Sequence, residues 1–144
     1  MLKKILLVED NADDELLTLR ALKKHNFANE VDVVRDGAEA LDYIFCRGSY
    51  SSRDFLDTPQ LVLLDINLPK LSGIEVLKEI RKDESLQSTP IVMLTTSKEE
   101  TDMLKSYTNG ANSYIQKPVD FKEFVEVVSQ LGVYWLAINC LPKK

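Results

Sequence analysis

Cysteine and histidine are almost missing from this sequence. The two cysteines, Cys46 and Cys140, stand far apart and have no third or fourth partner, which excludes the ligand spacing of a structural zinc site. Two free thiols in a reducing cytosol are expected instead. The single histidine, His25, falls near the end of a predicted helix and reads as a surface residue rather than a phosphodonor or ligand. Long hydrophobic runs are absent too. Nothing approaches the roughly 18 apolar residues of a membrane span, and the stretch 5–8 is too short for a signal-peptide core and lacks a small-residue cleavage site. The expected location is therefore cytoplasmic. There is no basic excess: the formal net charge of -5 argues against non-specific nucleic-acid binding, which needs a cationic footprint on phosphates. Low-complexity tracts are also lacking. What remains is a chain of 144 residues, 44% of them hydrophobic, enough for one core, with residues 1–144 expected to form one domain.

Five β-rich runs alternate with amphipathic stretches. The runs 3–8, 31–35, 60–65, 90–94 and 113–116 read as strands, and the third is almost continuously apolar, as in a strand covered on both faces. Segments 13–25, 38–45, 73–81, 98–107 and 120–138 carry apolar residues at helical spacings. Segment 47–59, rich in Ser, Asp and Arg, reads as a surface excursion. Alternation of this kind predicts an α/β fold: a five-stranded parallel sheet, doubly wound as (βα)5, in the flavodoxin-like strand order 2-1-3-4-5. Ligands of such folds sit beyond the carboxyl ends of the central strands.

Those ends carry the chemistry. Strand one ends in Glu9-Asp10, strand three in Asp65 and strand four in Thr95-Thr96, and strand five is followed by Lys117-Pro118. Clustered carboxylates repel one another and must hold protons or a cation. A hard ion, Mg2+ or Mn2+, suits them because it takes oxygen ligands and keeps sites for phosphate. A carboxylate beside such an ion can attack phosphorus to give an acyl phosphate, with cation, ammonium and hydroxyl neutralising the transferring oxygens. Asp65 is the expected nucleophile, Glu9 and Asp10 the expected metal ligands with the backbone carbonyl of Asn67, Thr95 the hydroxyl and Lys117 the ammonium. Each residue alone has a blander reading. Glu9 and Asp10 could be solvated acids at a helix start capped by Asp13 or Asp14, Thr95 a turn residue, Lys117 an exposed turn lysine and Tyr114 a packing residue. Four strand ends with matching chemistry favour a functional site.

The segments V-E-D-N at 8–11, L-L-D-I-N-L-P at 63–69 followed by Ser72-Gly73, L-T-T-S at 94–97 and Y-I-Q-K-P at 114–118 resemble response-regulator receiver domains at every motif. The resemblance covers nearly the whole chain. It implies Mg2+-dependent phosphotransfer from a histidine kinase to Asp65, and a coupled switch in which Thr95 moves toward the phosphoryl group and Tyr114 turns inward. Glu9 stands where the family often has Asp. The F-C-R-G run at 45–48 and the long C-terminal part are similar to regulators paired with phytochrome-type kinases, which tend to dimerise.

Other classes fit less well. A flavin binder needs a phosphate-cradling loop after strand one, where this chain has a run of acids. A dehalogenase-type phosphatase resembles its relatives in a second Asp two residues past the nucleophile, and here that residue is Asn67. A receiver-like scaffold that ignores phosphorylation, or a phosphorelay intermediate, is the remaining alternative. With no room expected for an output domain, signalling would run through a downstream protein target. The predicted last helix has Phe121, Phe124, Val125, Val128 and Leu131 as a core stripe, extended by an apolar C-terminal segment over 132–144. Residues 133–138 are apolar nearly all round, and their surplus is expected to form a homodimer contact rather than a membrane surface, since no basic face accompanies it.

Overall fold

The uninterrupted apolar runs at 5–8 and 61–64 have the same cause: each lies in a strand covered on both faces. The computed structural model describes residues 3–24 and 29–142, so the expectation for His25 falls outside the described residues. Strands β1 (Lys3–Val8), β2 (Asn29–Val34), β3 (Leu61–Leu64), β4 (Ile91–Thr95) and β5 (Ser113–Gln116) form one parallel sheet ordered β2-β1-β3-β4-β5. Helices α1 (Ala12–Lys23), α2 (Gly37–Ile44), α3 (Gly73–Arg81), α4 (Glu100–Thr108) and α5 (Phe121–Gly132) complete the predicted doubly wound (βα)5 architecture.

Side-chain alternation divides the core into two layers. Leu6, Val8, Val62, Leu64 and Met93 face α2 and α3, where they meet Leu41, Ile44, Val76, Leu77 and Ile80. Ile5, Leu7, Leu61, Leu63, Val92 and Leu94 face α1 and α5, against Ala21, Leu22, Phe124, Val128 and Leu131. Full burial of such a side chain stabilises the fold by about 1.5–3 kcal/mol. The same register brings the carboxyl ends of β1, β3, β4 and β5 to one edge.

Local chemistry moves several predicted boundaries. Asn11, not Asp13 or Asp14, caps α1: its side chain accepts from the Asp14 N–H at 3.0 Å. Asp36, Ser72 and Asp120 cap α2, α3 and α5 in the same way, each accepting a backbone N–H three residues on. Helix α4 begins at Glu100 because residues 96–99 are held by side-chain bonds of Ser97. The excursion after α2 is anchored rather than loose. The Arg53 guanidinium lies 3.9 Å from the Tyr43 ring centroid and donates to the carbonyls of Tyr43 and Asp57. The hydroxyl of Tyr50 donates to Glu39 at 2.6 Å.

The predicted single helix over 120–138 is two pieces. Residues Val133–Ile138 form a π-helical turn after α5, and the Asn139 N–H donates to the Tyr134 carbonyl five residues back, at 2.7 Å. The wider turn carries Leu136 (1% exposed) under the same layer as Leu131, a register that an ordinary α-turn would miss. Tyr134 and Ile138 stay exposed, so the apolar surplus foreseen from the sequence is at the surface. Phe121 departs from the expected core stripe. It is 71% exposed, because the first turn of α5 projects beyond the buried layer that Phe124, Val128 and Leu131 enter.

Candidate functional site

Each site side chain is placed by the end of a strand. The Asp65 N–H donates to the Val8 carbonyl at 3.2 Å, and the Glu9 N–H to the Val34 carbonyl at 3.0 Å, so both residues prolong the sheet register by one step. The Lys117 N–H donates to the Thr95 carbonyl at 2.7 Å and fixes the lysine against the end of β4. Gly73 closes the far side: its N–H donates to the Ile66 carbonyl at 2.8 Å, drawing the start of α3 onto the backbone that follows Asp65.

The outcome is a buried ion cluster. Lys117 Nζ lies 2.6 Å from Glu9 Oε1, 2.8 Å from Asp14 Oδ2 and 2.9 Å from Asp65 Oδ2. An ammonium has three N–H donors, and all three are engaged. Local backbone groups orient the two buried carboxylates. The Asn11 N–H donates to Glu9 Oε2 at 3.2 Å, and the Asn67 N–H to Asp65 Oδ1 at 3.3 Å. Asp10 is exposed at the rim, and one carboxylate oxygen each from Glu9, Asp10 and Asp65 lie within 4.8 Å of one another. A set of three hard oxygen donors at that spacing fits Mg2+ or Mn2+.

Burial dominates the electrostatics of Glu9, pushing its carboxyl up to about 7 against the opposing pull of Lys117. At Lys117 burial disfavours the charge, but the hydrogen bond it donates to Asp14, the charge of Asp65 and the bonds it donates to Glu9 and Asp65 outweigh it. The ammonium is thus held well above its ordinary value and stays charged at neutral pH. The charge of Asp65, the second buried carboxylate beside Glu9, adds to the upward push.

The hydroxyl and the aromatic meet at one residue. Buried Thr95 accepts the Ser97 N–H on Oγ1 at 3.2 Å, and the Tyr114 hydroxyl donates to the Ser97 carbonyl at 3.0 Å. The Tyr114 ring packs, half-buried, against the core layer beneath α3. The fold gathers the residues singled out in the sequence, Glu9, Asp10, Asp65, Asn67, Thr95, Tyr114 and Lys117, at one edge of the sheet. Asp14 was not among them. In the sequence that residue read as a helix cap, and it lies on the first turn of α1.

Comparisons with known proteins bear on the family and the fold. Residues 5–129 match the model of the response regulator receiver domain. The chain is 40% identical over 139 residues to "Probable methanogenesis regulatory protein FilR2" of Methanothrix harundinacea, covering 96% of this chain and 86% of that protein. It is 38% identical over 140 residues to response regulator Rcp1 of Synechocystis, covering 97% of this chain and 93% of Rcp1. The crystal structure of the Mn(2+)-bound form of Rcp1 superposes with a TM-score of 0.91, covering 98% of this chain and 99% of that one. The structure of the phosphorylated cyanobacterial phytochrome response regulator RcpA, 40% identical, superposes with a TM-score of 0.93 over 99% of this chain and all (100%) of that one. By fold, by motif and by these relatives, the chain belongs to the response-regulator receiver family of two-component signalling proteins.

Proposed function

We propose that this receiver accepts a phosphoryl group on Asp65 from a sensor histidine kinase of the phytochrome type and signals by changing its protein contacts. The observation that carries the reading is Asp65 bonded to Lys117, with Glu9 and Asp10 within reach of the same cation. In the step proposed, an Asp65 carboxylate oxygen attacks phosphorus as the bond to the donor imidazole breaks. An acyl phosphate remains, and the imidazole leaves to take up a proton. Glu9, Asp10, Asp65 and the backbone carbonyl of Asn67 would hold Mg2+ or Mn2+, whose charge screens the transferring oxygens when it is bound. The Mn(2+)-bound form of Rcp1 supports this choice of ion. Lys117 neutralises a further phosphoryl oxygen, and Thr95 donates to another.

The switch follows from the shared residue. Thr95 turning its hydroxyl to a phosphoryl oxygen gives up the Ser97 N–H, and Tyr114 holds the carbonyl of that same residue. Movement at Thr95 is thereby passed to segment 96–99, to Tyr114 and to α4. The readers of this change are a downstream protein and, through Tyr134 and Ile138 on the C-terminal turn, a second copy of the chain. No nucleic acid or membrane is assigned, the protein is placed in the cytoplasm, and residues 1–144 are taken as one domain.

Acetyl phosphate is expected to leave one phosphoryl group on the folded protein when Mg2+ is present; an unmodified chain would count against the reading. The metal site carries its own pH signature. A carboxyl ionising at about 7 must lose its proton before it can serve as a ligand. Mg2+ affinity is expected to weaken about ten-fold between pH 8 and pH 6, the competition of one proton with that midpoint. Calorimetric titration checks it, and a flat profile would show that Glu9 does not contribute.

A further inference from the structure

We infer that Asp14 is the exchangeable partner of Lys117, a brake that occupies the third N–H of the ammonium until a phosphoryl oxygen replaces it. The inference rests on Asp65 being the phosphoacceptor.

The geometry requires an exchange. Lys117 donates to Glu9, Asp14 and Asp65, and no N–H is spare for an incoming oxygen. One acceptor must therefore be released when the phosphoryl group arrives. Glu9 and Asp65 are the more firmly held partners: their side chains are 2% and 7% exposed, and the backbone N–H groups of Asn11 and Asn67 fix their carboxylates in the crevice. The Asp14 side chain is 23% exposed, on the first turn of α1, and can turn to solvent at little loss. Releasing Asp14 leaves Lys117 anchored through the other two bonds, so the ammonium does not drift from the crevice. Asp14 thus acts as a positioning residue through Lys117, and it favours the unphosphorylated state.

The experiment is a calorimetric titration of beryllofluoride, a phosphoryl mimic, at saturating Mg2+. Asp14→Asn keeps the side chain's size, and its backbone N–H still serves the Asn11 cap. It is expected to bind beryllofluoride about five-fold more tightly than the unmodified protein, the scale of a partly exposed charge pair. Asp13→Asn removes the same charge from the same turn, at an exposed residue. It is expected to change affinity by less than about two-fold, as a screened charge should. Asp14→Glu, which restores the carboxylate, is expected to return the affinity toward the original value. A merely structural role predicts loss of binding, never gain. Unchanged or weaker binding by Asp14→Asn, or an equal gain in Asp13→Asn, overturns the brake. Absence of binding by all four proteins overturns the phosphoacceptor reading itself.

Discussion

Replacing Gly73 with alanine is expected to destabilise the fold by about 3 kcal/mol and to slow phosphorylation of Asp65 in what remains folded. An added Cβ would sit 2.0 Å from the Asp65 carbonyl oxygen, 2.8 Å from its carbonyl carbon and 2.9 Å from Ile66 Cα. All three are backbone atoms, so no side-chain rotation relieves the clash. Either α3 lifts from the sheet, exposing Ile74 and Leu77, or the backbone after β3 shifts and takes Asp65 with it. Displacing a reacting group by about 1 Å can slow chemistry on the order of a hundred-fold. Chemical denaturation and the rate of labelling by acetyl phosphate check the two effects together. Wild-type stability in Gly73→Ala would show that the start of α3 is not held against the site.

Lys117→Met is expected to lower the stability of the metal-free protein by about 3 kcal/mol at neutral pH, because breaking a buried ion pair strands the partner charge. The stranded groups are Glu9 and Asp65, since Asp14 can reach water. The deficit should shrink as the solution is acidified. Glu9 in the folded protein ionises at about 7, above its ordinary 4.5, and losing the lysine removes an influence that holds it down. A carboxyl raised on folding disfavours the native state above its folded value, and that penalty fades as pH falls toward the unfolded one. Saturating Mg2+ should also restore stability, by supplying the missing positive charge. Unfolding curves at neutral and mildly acidic pH, with and without Mg2+, give the answer. A deficit indifferent to both would mean that Lys117 matters for packing alone.

The fold was legible wherever one physical rule acted alone. The short apolar run of β3 fits a doubly covered strand, and alternation of strands with helices placed the chain in the doubly wound class, whose strand order the sheet has. That the strand-end residues Glu9, Asp65, Thr95 and Lys117 lie together was legible for the same reason, since strand ends in such a sheet converge whatever the loops do. The exceptions are contacts that depend on side-chain geometry between distant parts of the chain. The bond between Asp14 and Lys117 joins residues 103 apart, and no local pattern distinguishes it from a helix cap. The Asn11 cap was hidden by two acids that cap helices equally well. The π-turn at Val133–Ile138 answers to the spacing of Leu131 and Leu136, which departs from the α-helical period only once the core is assembled. Phe121 obeyed the stripe and still fell outside it, because periodicity does not say where the neighbouring layer ends.

Intact mass after incubation with acetyl phosphate, with and without Mg2+, beside Asp65→Asn, tests most directly whether Asp65 is the phosphoacceptor and whether its acidic neighbours act through a divalent ion. A single phosphoryl adduct is expected on the native protein with Mg2+, little without it and none on Asp65→Asn under either condition. An adduct that persists in Asp65→Asn, or that forms equally well without Mg2+ or Mn2+, would contradict those roles.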